Sequence, residues 1–180
     1  MQGTGSRRRA ATLLTALAAV AVACGGGTAA DLPPAAALAP NGLQPFPGVY
    51  TGGQPSADQL DMLAEAGFAG VINLRTEGEE GSEGEAERVA ALGMEYVAIP
   101  VAGAEGMTEE NARALADALA RTGRPVLVHC ASGNRVGGLF ALKSGLLDGS
   151  PVEEAMEVGL AAGLTRLEPV VRERLERPRP

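Results

Sequence analysis

Aromatic residues are almost missing from this 180-residue chain: Trp is absent, and two Tyr with three Phe make up 3% of it. Platforms for single-stranded nucleic acid stack bases on exposed aromatics, so that class of function is excluded. Positive charge is also short, with 15 Lys and Arg against 22 Asp and Glu and a net charge of −7. Three of those positives, Arg7, Arg8 and Arg9, stand together near the N-terminus, which leaves the remainder more acidic still. Such a body repels phosphate backbones and anionic membrane surfaces at long range, and no nucleic-acid partner is expected. Histidine occurs once, at His129, and cysteine twice, at Cys24 and Cys130. A multi-histidine metal site is therefore out of reach, and neither a metal nor another cofactor is expected.

Long apolar runs are lacking too. The uncharged stretch Ala10 to Ala23 falls short of the roughly 20 residues that a bilayer-spanning helix needs. It follows the Arg7–Arg9 cluster and ends in Ala21-Val22-Ala23, the order of positive, apolar and small residues that an export signal requires. Residues 1–23 are accordingly expected to be a signal peptide. Cys24, followed by Gly25-Gly26-Gly27, resembles the lipidation site of bacterial lipoprotein signals and is a candidate lipid anchor. The expected location is exported, either periplasmic or membrane-anchored as a lipoprotein. Residues 24–40, rich in Pro, Ala and Gly, read as a tether. The folded domain is expected over 41–178; nothing in the pattern fixes an oligomeric state.

Within that domain strand-like and helix-like segments alternate, which predicts an α/β architecture with a mostly parallel central sheet flanked by helices. Strands are expected at Val49-Tyr50, 69–74, 96–101 and 125–129. Ser56 with Gln59 forms a capping box for a helix that stops at Gly67. Further helices are expected within 77–92, from Thr108 to Thr122, over 135–147, and from two more capping boxes, Ser150 with Glu153 and Thr165 with Glu168. The six Glu between positions 77 and 87 lack regular metal-ligand spacing and read as a solvated loop.

Chemistry concentrates in Val126 to Gly137, VLVHCASGNRVG. An apolar strand runs into His129-Cys130, then a small-residue loop Ala131-Ser132-Gly133-Asn134, then Arg135 and a helix. That order aims backbone N–H groups and the positive end of a helix at one point above the sulfur, a place for an anion. The same field favours the thiolate, which makes Cys130 a competent nucleophile. Gly133 lets the backbone turn inward, and Arg135 can hold two oxygens of a tetrahedral anion. Ala131, Ser132, Gly133 and Asn134 are thus the expected substrate-binding residues. Cys130 also has no partner for an intramolecular disulfide once Cys24 is lipidated or removed.

These segments resemble the cysteine-dependent phosphatase superfamily, specifically compact bacterial dual-specificity-like phosphatases that include the β-lactamase hydrolase-like phosphatase-domain family. The similarity lies in Gly53-Gln54-Pro55-Ser56, Val71-Ile72-Asn73-Leu74-Arg75, Ile99-Pro100-Val101 and His129-Cys130-Ala131-Ser132-Gly133-Asn134-Arg135. The resemblance implies a three-layer phosphatase-like fold and hydrolysis of a phosphomonoester through a phosphocysteine intermediate. It implies Cys130 as nucleophile, Arg135 as phosphate clamp, and His129 as a residue orienting the loop from behind. Its substrates would be a small anionic molecule or a phosphoprotein.

Three positions depart from that family's pattern. Four residues separate Cys130 from Arg135 where the usual signature has five. Val136 stands where a Ser or Thr commonly assists release of the sulfur. Glu105 is the sole carboxylate in the segment after Pro100 and so the candidate general acid. The short C-x-x-G-x-R loop also fits a rhodanese-type sulfurtransferase carrying sulfur on Cys130 as a persulfide, and a non-catalytic anion-binding module is the third reading. Arg75 reads as a surface residue, with Gln54 and Asn73 as candidates for supporting the loop.

Overall fold

The computed structural model describes residues 32–177. The expected signal peptide, Cys24 and the last three residues lie outside them. Five strands form one sheet: β1 (Leu43–Phe46), β2 (Val49–Gly52), β3 (Gly70–Asn73), β4 (Glu95–Ala98) and β5 (Val126–His129), in the order β1-β2-β5-β3-β4. β5 pairs in parallel with both β2 and β3, β3 in parallel with β4, and only β1 is antiparallel, to β2. The α/β class with a mostly parallel central sheet is as expected.

β5 is Val-Leu-Val-His and buried throughout, as a central strand covered on both faces must be. Its residues alternate between two cores. Val126, Val128 and Cys130 pack with helices α4 (Glu109–Arg121), α5 (Asn134–Leu142), α6 (Val152–Ala161) and α7 (Glu168–Glu176). Leu127 packs on the other face, with α1 (Ala35–Leu38), α2 (Ala57–Glu65) and α3 (Glu85–Ala91). These are the three layers: helices, sheet, helices.

Several local expectations hold and several do not. The Ser56 capping box forms, with Ser56 Oγ accepting from Gln59 N at 3.2 Å and Ser56 N donating to Gln59 Oε1 at 2.9 Å. Thr108 caps α4 through Asn111 N. The other two boxes do not form: α6 begins after Pro151 and α7 after Leu167, neither with a side-chain cap. Ser150 instead pairs with Ser144 Oγ at 2.9 Å. The expected helix 135–147 is α5 followed by a π-helical turn, Lys143–Leu147. The sequence does not mark strand β1, because Pro45 breaks its four residues; an edge strand tolerates a proline, since one side of it needs no ladder donor.

The segment read as a tether as far as Pro40 carries the α1 turn, and Leu38 and Ala39 are fully buried in the core against α2 and β2. Packing therefore begins before Asn41. Two apolar side chains suffice for this, and composition alone registers the Pro and Ala around them, not the face on which Leu38 falls.

Candidate functional site

The parallel strands β2, β5 and β3 place Gly52, His129 and Asn73 side by side at their C-terminal ends. That edge, where β5 feeds directly into α5, is where open parallel sheets hold ligands. Cys130 is the first residue past β5, 1% exposed, with its N–H donating to Gly52 O. Gly133 closes the loop in the left-handed region at φ 87°, a conformation only glycine adopts without strain. This turns its N–H onto Cys130 Sγ at 3.2 Å. The first backbone bond of α5 runs from Gly137 N to Gly133 O, so the N–H groups of Asn134, Arg135 and Val136 are left without intrahelical acceptors. Cys130, Ala131, Ser132, Asn134 and Arg135 line one cavity of about 290 Å³, together with Gly103, Arg166 and Leu167. The residues expected to bind an anion are thus brought together.

Arg135 is anchored by Glu79 and by a backbone carbonyl. Its Nη1 and Nη2 donate to the two carboxylate oxygens of Glu79 at 2.6 and 2.7 Å, and Nη1 also reaches Val101 O at 3.0 Å. Hydrogen bonding to Glu79, and then the neighbouring Cys130, push the guanidinium up from its ordinary value against the cost of burial. Reciprocally, Arg135 holds the Glu79 carboxyl well below the usual carboxylate range. A depressed carboxylate contributes stability that is complete above its unfolded value, about 4.3, and is lost as pH falls towards the folded value. Comparing the urea midpoints of wild type and Glu79→Gln from pH 7 to pH 2 should therefore show a gap that narrows steadily below about pH 4. A gap constant down to pH 2 would contradict a charged Glu79 in the folded state.

From Glu79 a polar chain runs behind the loop. Arg75 donates through Nε to Glu79 Oε2 at 3.2 Å and through Nη1 to Gln54 Oε1 at 2.6 Å. Gln54 Nε2 donates to Glu85 Oε2 at 3.0 Å, as does Asn73 Nδ2 at 3.3 Å. Glu85 Oε1 lies 2.7 Å from His129 Nε2, and both side chains are buried. His129 Nδ1 lies 3.4 Å from Cys130 O. His129 thus sits beneath the loop with the Glu85 carboxylate on one side of its ring and the Cys130 carbonyl on the other. The Tyr96 hydroxyl closes the chain by accepting from Asn73 Nδ2 at 2.8 Å, and burial pushes that phenol up.

Measured against the expectations, Arg75 is not a surface residue: it is 8% exposed, because Gln54, Glu79 and the carbonyl of Glu80 satisfy its donors. The acidic segment 77–87 is not solvated throughout, since Glu79 and Glu85 turn inward to Arg135 and His129. Asn134 lines the cavity, but its Oδ1 is committed to Thr165 N at 2.9 Å and Leu167 N at 3.3 Å. Glu105 is exposed and not part of the cavity lining, to which its segment contributes Gly103. Glu79, Glu85 and Arg166 were missed. The acidic run was the only signal for the first two, and it does not say which carboxylates point inward; Arg166 had none.

Residues 47–146 match the family described as beta-lactamase hydrolase-like protein, phosphatase-like domain. A beta-lactamase hydrolase-like protein of Xylella fastidiosa is 39% identical over 109 residues, which are 58% of this chain and 25% of that protein. The chain thus spans about a quarter of the length of the curated relatives it matches. Among solved structures, a Neisseria meningitidis z2491 protein described as a putative phosphatase superposes with a TM-score of 0.63 at 24% identity, covering 74% of this chain and 95% of that one. TpbA of P. aeruginosa, solved in complex with pTyr, superposes with a TM-score of 0.52 at 16% identity, covering 73% and 83%. At such identities these structures show the shared fold.

Proposed function

The chain belongs to the family of phosphatase-like domains of beta-lactamase hydrolase-like proteins, and on that premise we propose that it hydrolyses a phosphomonoester with Cys130 as nucleophile. The observation that carries this reading is the Gly133 N–H bonded to Cys130 Sγ in the cavity that Arg135 also lines. A donor on the sulfur stabilises negative charge there, and the α5 N–H groups with the Arg135 guanidinium suit the oxygens of a phosphoryl group. Sγ attacks phosphorus and forms an S–P bond while the ester P–O bond breaks and the departing oxygen leaves as alkoxide or alcohol. Water then attacks phosphorus, releasing orthophosphate and returning the thiolate. His129, with the Glu85 carboxylate beside its ring, supports the Cys130 carbonyl and the loop during both steps. That TpbA holds pTyr in the same fold supports an anionic, phosphate-bearing ligand.

Among the described residues no carboxylate lines the cavity, Glu105 standing outside the lining and Glu79 being held as an anion by Arg135, which supports turnover without a general acid. General acid catalysis typically contributes about 10²–10⁴-fold, so aryl phosphates such as p-nitrophenyl phosphate should outpace alkyl monophosphates by that order. Comparable rates on both would show that a proton donor operates. A second reading, persulfide chemistry, is favoured by the four-residue spacing from Cys130 to Arg135. Parallel assays decide between them. Hydrolysis inhibited by vanadate, with a phosphorylated Cys130 trapped by acid quench, supports the phosphatase. A mass gain of about 32 Da on Cys130 after thiosulfate, without hydrolysis, identifies sulfur transfer.

The protein is further proposed to be exported, on the strength of the Arg7–Ala23 segment, either free in the periplasm or lipid-anchored through Cys24. Mass spectrometry of the protein from its native host should find the first 23 residues gone, with acyl mass on Cys24 marking the anchored form; an intact Met1 would refute export.

A further inference from the structure

Arg166 is a cation that the internal ion pairs leave over. It lines the cavity of Cys130 and Arg135, is exposed, and pairs with no carboxylate among the described residues. Arg75 and Arg135 are each held by Glu79, and Arg172 by Glu153. In a chain of net charge −7, with acidic side chains to spare, an uncompensated arginine at the mouth of an anion cradle is available to a ligand without breaking any internal pair.

Its backbone, by contrast, is tied down. Thr165 N and Leu167 N, on either side of it, both donate to Asn134 Oδ1, and Asn134 immediately precedes Arg135. Gly163, at φ 104°, lets the same turn lie against Gly133, where a Cβ would stand 3.3 Å from the Gly133 carbonyl oxygen. The turn that carries Arg166 is thus registered to the residues that open α5 and shape the cradle. A fixed anchor with a free guanidinium is the arrangement that reads an anion at a set place beside the Cys130 site.

We propose that Arg166 forms a second anion subsite, and that the preferred substrate is a compact phosphomonoester bearing a second anionic group, a small bisphosphate. One phosphate occupies the Cys130 cradle and the other meets Arg166. The proposal rests on the cradle being the phosphate site, and it names the substrate class for it. The cavity, at about 290 Å³, falls just below the range for small-molecule sites, roughly 300–1,000 Å³, which favours a compact ligand over a protein segment.

The test uses the full chain carrying Cys130→Ser, so that binding is read without turnover. Isothermal titration with orthophosphate, pyrophosphate, fructose 1,6-bisphosphate and an acidic phosphotyrosine peptide is run with and without Arg166→Ala, with Arg174→Ala as the charge-matched control. At least one of the two double anions should bind about tenfold tighter than orthophosphate, the scale of one charge-assisted pair, and Arg166→Ala should remove most of that advantage. Arg174→Ala should keep it, and Arg166→Lys should restore part, since an ammonium cannot bind bidentately. Equal weakening of all ligands by Arg166→Ala, or an Arg166 effect confined to the peptide, would overturn the proposal. Turnover of p-nitrophenyl phosphate and of fructose 1,6-bisphosphate by the unmodified chain is measured alongside. Turnover without any Arg166 selectivity removes the subsite alone, whereas Arg166-dependent bisphosphate binding with no turnover of p-nitrophenyl phosphate or of fructose 1,6-bisphosphate removes the phosphatase reading and leaves Arg166 as a binding subsite.

Discussion

Cys130→Ser should lower the hydrolysis of p-nitrophenyl phosphate by at least about 10⁴-fold, the scale on which losing a covalent nucleophile is felt, while leaving phosphate affinity within about threefold. The two readouts separate because the cradle is built from atoms that the substitution does not touch. The N–H of Gly133 and the free donors at the start of α5 belong to the backbone, and the Arg135 guanidinium is positioned by Glu79 and Val101 O. A serine hydroxyl keeps its proton in the same field, so the anion still binds and the attack fails. Stopped-flow or steady-state rates together with titration of orthophosphate check both halves. Retention of more than about 1% of turnover would assign the nucleophile elsewhere. Loss of phosphate binding in parallel would mean that the sulfur itself holds the loop open.

The second large effect is on stability and comes from a position with no polar atom in its side chain. Gly137 lies in α5 where that helix meets α6 and the turn beyond it: a Cβ there would stand 2.0 Å from Leu164 N, 2.6 Å from Gly159 O and 2.6 Å from Leu164 Cα. All three are backbone atoms, which cannot swing aside as a side chain would. Gly137→Ala is therefore expected to cost about 3 kcal/mol, the upper end of ordinary overpacking, and to lower Tm by roughly 6–12 °C. Because Leu164 belongs to the turn that carries Arg166, the substitution should also weaken binding of double anions. Gly149→Ala is the matching control. Gly149 has φ 80° but nothing within 4 Å of its added Cβ, so its cost is that of backbone strain alone, about 1 kcal/mol. Equal destabilisation by the two variants would show that α5 and α6 can separate without penalty.

How far the sequence carries is visible in these two positions. Cys130 and Gly133 could be picked out because the strand, the loop and the helix start that they serve are contiguous in the chain, and contiguous geometry is written in local residue choice. Gly137 could not, because its requirement is set by Gly159 and Leu164, more than 20 residues away, and a glycine in a helix carries no mark of what it faces. The same distinction explains Arg75. Its strand was recognised from the apolar run before it, but its burial depends on Gln54 from the β2–α2 turn and on Glu79 from the acidic loop.

By itself the sequence determined the alternation that makes an α/β sheet, the capping of α2 and α4, and the Cys130–Arg135 loop with its glycine turn, since each depends on residues within a few positions of one another. Tertiary structure decided which charges serve that loop. Glu79 reaches Arg135 across 56 positions, Glu85 meets His129 from α3 on the sheet face opposite α5, and Arg166 enters the cavity through a turn fixed to Asn134 from 31 positions on. Six glutamates stand between positions 77 and 87, and all are equivalent as letters. Only the packing of α3 and its preceding loop against the C-terminal ends of β3 and β5 selects two of them, because a carboxylate can be buried only where a donor already waits for it.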